Sequence, residues 1–251
     1  MINKLKQAIE ECGRYFLLMK QVFQKPEKWR IFFKQFFIEC DKLVINSIPI
    51  IAIISVFIGG VIVLQSGINL ENPFIPKMYV GYLARESLVL EFCSTMVALI
   101  LAGKIGSNIA SEIGSMRITE QIDAMDIMGV NSAGYLILPK IISTVLFNPL
   151  IMLMSFMLGL VGGALIVYAT GIVTITQYID GICFCFNMTY VYYSMFKMAV
   201  FSFIITSIAS FHGYYAKDGS LGVGRSSTKA IVISSGLILV TNLMITEIVL
   251  N

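Results

Sequence analysis

Charge is what this sequence has least of. Only 13% of its 251 residues are Asp, Glu, Lys or Arg, about half the share of a soluble domain. The net charge of +3 is too small to point to nucleic acid. A single histidine, His212, has to serve any acid–base triad, and no G-x-S-x-G elbow accompanies it. No G-x-x-x-x-G-K-[ST] string occurs, so the chain is not expected to be an enzyme that hydrolyses nucleotide. The nearest text, GVGRSSTK at 222–229, has the wrong spacing and precedes an apolar run rather than following a strand. The five cysteines, Cys12, Cys40, Cys93, Cys183 and Cys185, are scattered and odd in number. Two thiols at 183 and 185 with a remote histidine make a poor metal site, and packing accounts for them better. No cofactor is expected. The first forty residues are too charged to supply the apolar core of a cleavable signal peptide, so the first span is expected to direct insertion.

What the chain does have is apolar length. Hydrophobic residues make up 57% and the mean hydropathy is +0.83, in runs of about twenty residues, enough to cross a bilayer as helix. The expected fold class is therefore all-α, a polytopic integral membrane protein with about five transmembrane helices. The spans are placed at about 43–64, 87–102, 141–168, 188–211 and 230–250. Residues 1–42 precede them, carrying nine Lys or Arg among Phe16, Phe23, Trp29, Phe32, Phe33, Phe36 and Phe37. Amphipathic helices lying in the membrane interface, broken near Pro26, fit that composition. Two domains follow: 1–42 interfacial and 43–251 transmembrane. The N-P-F-I-P text at 72–76 marks a turn in the loop after the first span.

Basic residues set the orientation. They concentrate in the N-terminal arm, the 103–140 segment and the 212–229 loop, while the 169–187 loop has none. By the positive-inside rule the N-terminus is cytoplasmic and the C-terminus lies outside.

The only long polar stretch between apolar runs is Gly103–Pro139, which holds four of the fifteen carboxylates: Glu112, Glu120, Asp123 and Asp126. Gly114 can break a helix, Ser115 can cap the next, and Gly129 suits the position just past a helix end. These signals predict a short helix over about 115–128, with Ile118, Ile122 and Met125 on one side and Glu120 with Asp123 on another. Such a helix can dock on a partner at the membrane surface, or be an ordinary solvated loop helix.

Charges inside the spans are costly and tend to face a cavity or a partner. Arg85 and Glu86 sit at the edge of the second span, where they can pair with each other, meet a lipid head group, or snorkel to the interface. Lys197 lies deeper, in the fourth span, and can snorkel or contact a lipid phosphate as a point charge. Glu91 and Asn242 can find partners on neighbouring helices. Fourteen Met and seventeen Phe suit either core packing or a pocket for acyl chains.

The string E-I-G-S-M-R-I-T-E-Q-I-D-A-M-D-I-M-G-V at 112–130 closely resembles the signature of the MlaE family, the permease subunits of MCE-type ABC lipid transporters. The G-V-G-R-S-S-T-K-A-I-V text at 222–232 resembles a second family segment, with Ser227 in place of a threonine. Arg85-Glu86 matches the R-E of a family L-R-E-L-G-P segment, although Ser87-Leu88-Val89 replaces the rest. Lys197 matches a family lysine, and Asn242 falls where members often carry Asp. The resemblance covers about 43–250 and implies a homodimer in a bacterial inner membrane. It implies an ABC ATPase subunit on the cytoplasmic face, a periplasmic MCE-domain protein on the other, and phospholipid moved between them. It assigns ATPase coupling to Glu112, Arg117, Glu120, Gln121, Asp123, Met125 and Gly129, and the lipid pathway to Arg85, Glu86, Lys197 and Asn242. The rival reading is an ATP-independent secondary transporter or channel. It finds no paired half-helices in corresponding halves of the chain.

Overall fold

A computed structural model of the chain describes residues 2–24, 29–70, 74–217 and 219–250. The break expected near Pro26 and the first two residues of the 72–76 turn lie outside the described residues. Among those described, all regular structure is helical.

The expected five spans are present. We label the helices α1 (Ile2–Val22), α2 (Trp29–Asn69), α3 (Tyr79–Ile118), α4 (Gln121–Ile127), α5 (Ser132–Thr170), α6 (Ile175–Cys183), α7 (Met188–Tyr214) and α8 (Gly219–Leu250). Helices α2, α3, α5, α7 and α8 are long and apolar enough to cross a membrane.

Their ends differ from expectation, each for a physical reason. Residues 29–42 run on into the first span, the whole forming one helix of 41 residues. A wide π turn at Cys40–Val44 and a tight 3₁₀ turn at Ile45–Ser47 are absorbed on the way. Pro49 falls in the first turn of the stretch that follows, where a missing N–H costs little. Helix α3 is 40 residues long, about 60 Å and twice the hydrocarbon thickness. It contains two π stretches, Leu88–Met96 and Ala102–Gly106, passes through Gly103 in the latter, and does not break at Gly114, which is packed against Val223 and Ala216. The 212–229 loop shrinks likewise, because α7 continues to Tyr214 and α8 begins at Gly219. The 169–187 loop contains α6, started by a capping box of Thr174 and Gln177. That T-x-x-Q signal was there to be read.

The chain divides into two compact units. One comprises residues 1–45, 101–145 and 202–240. In it α1 buries Leu18, Met19 and Val22 and leaves Phe16 and Leu17 exposed. The Tyr15 hydroxyl donates to Ser207 at 3.0 Å, and Thr144 bonds Thr206 at 2.8 Å. Hydroxyl pairs of this kind join helices where apolar surface alone gives no preference for helix over lipid.

The other unit comprises 46–100, 146–201 and 241–251. Here α2 and α5 cross at glycines. A Cβ on Gly59 would run into the Gly159 carbonyl oxygen, and one on Gly162 into that of Val56. Ser55 bonds Ser155 at 2.7 Å beside the same crossing. The Tyr178 hydroxyl donates to Leu160 O at 3.0 Å, and burial pushes its phenol up to about 12. Because the obstacle is backbone, Gly59→Ala is expected to cost at least about 1–3 kcal/mol. Thermal unfolding in detergent checks this, and Gly103→Ala, in open space, is the silent control.

Candidate functional site

Four groups of residues carry the polar chemistry. The first surrounds α4. Helix α3 stops at Ile118, and Thr119 and Glu120 make the corner, Glu120 at φ +60 in the left-handed region. A non-glycine residue held there is a strained position of the kind that collects at working sites. The expected single helix over 115–128 is thus two, split at Glu120 rather than starting at Ser115. The far end is as expected: Gly129 has φ +79, with Gly129 N donating to Asp126 O at 3.0 Å and Val130 N to Met125 O at 3.0 Å. This pair of bonds is a Schellman cap.

Ile122 is fully buried and Met125 partly so, which spends the expected apolar stripe inward. Asp123 is held by Arg117 at 2.6 Å, and the guanidinium lies 5.8 Å from the Tyr214 ring centre. The surface left open is Glu120, Gln121, Asp126, Ile127 and Met128, the last two 86% and 71% exposed. The apolar pair Ile127–Met128 was not foreseen, because it lies off the stripe that the helical period picks out.

Glu112 does not belong to that surface. It accepts from Lys42 at 2.8 Å and from Lys140 at 2.9 Å, and Lys140 also meets Glu39 at 2.6 Å. Lys140 and Glu39 are buried, and among the described residues the second oxygen of Glu39 has no hydrogen-bond partner. This network joins α2, α3 and α5 within the first unit.

The third group lies in the second unit. Lys197 is completely buried and gives its three protons to Leu90 O at 3.1 Å, Glu91 Oε1 at 3.0 Å and Thr246 Oγ1 at 3.1 Å. Asn242 Nδ2 donates to Glu91 Oε2 at 3.0 Å, and Thr246 Oγ1 donates to Glu91 Oε1 at 3.0 Å. Thr95 stands 3.0 Å from Asn242 Oδ1 and 3.3 Å from Glu91 Oε2. Lys197 and Asn242 are therefore brought together, through a carboxylate that the sequence reading did not count among the site residues. These bonds tie down the end of α8, a helix with only 11% of its most apolar stretch buried, against 67% for α7.

Arg85 and Glu86 make their bonds elsewhere. Arg85 is buried, pairs with Glu86, and donates to Ile182 O at 2.7 Å and Phe184 O at 2.8 Å. Its guanidinium also faces the rings of Tyr82 and Phe186 at 5.1 and 5.5 Å. Its guanidinium is thus buried, with two of its five N–H donors spent on the carbonyls closing α6. Among the described residues no group of three His, Cys, Asp or Glu is placed to hold a metal.

The fold and these groups define a multi-pass helical membrane protein with buried ion pairs inside its spans and two short capped helices, α4 and α6, between them. The family model of the permease MlaE matches residues 36–248, and the chain belongs to the MlaE permease family. It is 36% identical over 209 residues to a probable ABC transporter permease protein of Rickettsia bellii, covering 80% of this chain and 78% of that one. A probable ABC transporter permease protein of Synechocystis is 30% identical over 230 residues, 90% and 86% of the two chains. The intermembrane phospholipid transport system permease protein MlaE of Haemophilus influenzae is 28% identical over 243 residues, 96% and 92%.

Proposed function

We propose that this permease is the membrane subunit of an ABC-type lipid transporter, a homodimer in the bacterial inner membrane that moves phospholipid to or from a periplasmic MCE-domain protein and so maintains outer-membrane lipid asymmetry. ATP is hydrolysed by a separate subunit that docks on α4. The observation that carries this is the capped α4 surface, acidic at Glu120 and Asp126 and apolar at Ile127 and Met128, in a chain matched to the MlaE family over 36–248. The phospholipid cargo rests on the similarity to the Haemophilus influenzae intermembrane phospholipid transport system permease.

Charge supports a cytoplasmic position for α4. Of eighteen Lys and Arg, nine fall in 1–45, three in 101–145 and three in 202–240, so fifteen belong to the unit that holds α4. Glu120 and its neighbours engage the ATPase, Arg117 and Asp123 fix the corner, and Glu112 links it to the buried network. Lys197 with Asn242 belongs to the lipid path, and Arg85 with Glu86 shapes the backbone beside it.

The test is Glu120→Lys with Ile127→Lys, both on exposed positions. Purified from native membranes in mild detergent, the parent brings down an ABC-type ATPase and an MCE protein. The variant is expected to lose at least about tenfold of the ATPase while keeping its own melting temperature. Full ATPase recovery with the variant would sink the docking assignment, and a parent that comes out alone would favour an ATP-independent carrier.

A further inference from the structure

We infer that Glu91 is an internal competitor of the lipid phosphate, a carboxylate that occupies the Lys197 ammonium and sets how readily a bound head group is released. This rests on the transporter reading above. An ammonium has three protons, and all three of Lys197 are engaged, by Leu90 O, Glu91 Oε1 and Thr246 Oγ1. A phosphate reaching Lys197 has to displace one of them. The backbone carbonyl is fixed by the helix, whereas Glu91 stands at the accessible edge with its side chain 39% exposed, beside a lysine at 0%. Phosphate and carboxylate are both anionic oxygen acceptors, so exchange between them keeps the lysine neutralised inside a membrane span, where an unpaired charge is expensive.

The other donors decide where the displaced carboxylate goes. Asn242 Nδ2 donates to Glu91 Oε2 and Thr246 Oγ1 to Glu91 Oε1, so Glu91 can give up Lys197 while two hydrogen bonds from α8 keep it close. It is then placed to retake the ammonium and expel the head group. Lys197 balances one negative charge, so a phosphate beside a still-ionised Glu91 is one anion too many and is readily released. The neutral amide at 242 supplies a donor without adding a third.

The experiment compares the parent, Glu91→Gln, Asn242→Asp and the double variant, each purified in mild detergent, with phospholipid retained per chain read by phosphorus assay. Glu91→Gln keeps the shape and removes the competing charge. It is expected to raise retained phospholipid at least about twofold and to slow its exchange into acceptor vesicles of phosphatidylethanolamine and phosphatidylglycerol. The double variant restores a single carboxylate next to the lysine and is expected to return both quantities toward the parent. Asn242→Asp alone crowds two carboxylates and is expected to hold less lipid than the parent. A monodisperse Glu91→Gln that retains no more phospholipid than the parent overturns the proposal. So does lipid stripped from it by inorganic phosphate, which marks a site for a free anion. Neither readout needs an ATPase, so loss of the ATPase interaction would fell the transporter reading while leaving this comparison intact.

Discussion

Replacing Lys140 with methionine is expected to cost about 3–5 kcal/mol, because it leaves Glu39 charged, buried and without its cation. Lys140 and Glu39 are 2.6 Å apart, with side chains each only 2% exposed. Gln35 also donates to that carboxylate at 3.2 Å, and among the described residues Oε2 has no partner. Glu112 would suffer less, since Lys42 still reaches it at 2.8 Å. The partner experiment is Lys140→Met with Glu39→Leu, which removes both charges and fills the space with apolar atoms. Buried pairs exchanged in this way are often neutral or better, so the double variant is expected to recover most of the loss. Melting of the four proteins in one detergent gives the cycle. Equal damage in single and double variants would mean that the lysine matters for something other than neutralising Glu39.

The second large effect is expected at Arg85. Arg85→Met removes two short bonds to the carbonyls of Ile182 and Phe184, the pairing of Glu86, and the stacking on Tyr82 and Phe186. At about 1.5–3 kcal/mol for each hydrogen bond made by a charged group, a loss of about 3 kcal/mol or more follows. It falls on the 182–186 strip first. Chymotrypsin cleavage at Phe184 and Phe186 is expected to rise at least about tenfold before global unfolding changes. Arg85→Lys is expected to fall between, since one ammonium cannot match a planar fork aimed at two carbonyls. If the lysine variant cleaves like the parent, the fork geometry is unimportant and the charge alone holds the strip.

These residues mark the limit of what the chain shows without its structure. Apolar runs placed the five spans, and Gly129 announced its own cap, because both signals are local. Arg85 could be read as snorkelling or pairing, since the carbonyls it clamps lie 97 and 99 residues away. The same holds for Glu91, whose partners are 106, 151 and 155 residues distant. The corner of the 103–139 segment was misplaced because Gly114 carries a breaker's reputation, yet here its lack of side chain lets Val223 and Ala216 pack against it. Glu120 gave no warning, as a glutamate is an unusual occupant of left-handed backbone.

The wide turns of α3 have one more consequence. Over Leu88–Met96 and Ala102–Gly106 the helix takes an extra residue per hydrogen-bonded ring. Each residue of an ordinary helix advances about 100°, so one extra residue in a turn re-aims the side chains beside it by roughly this angle relative to an uninterrupted helix. Glu91 and Thr95 sit inside the first such stretch. The first wide stretch therefore sets which way α3 aims the Glu91 carboxylate, toward Lys197, Asn242 and Thr246.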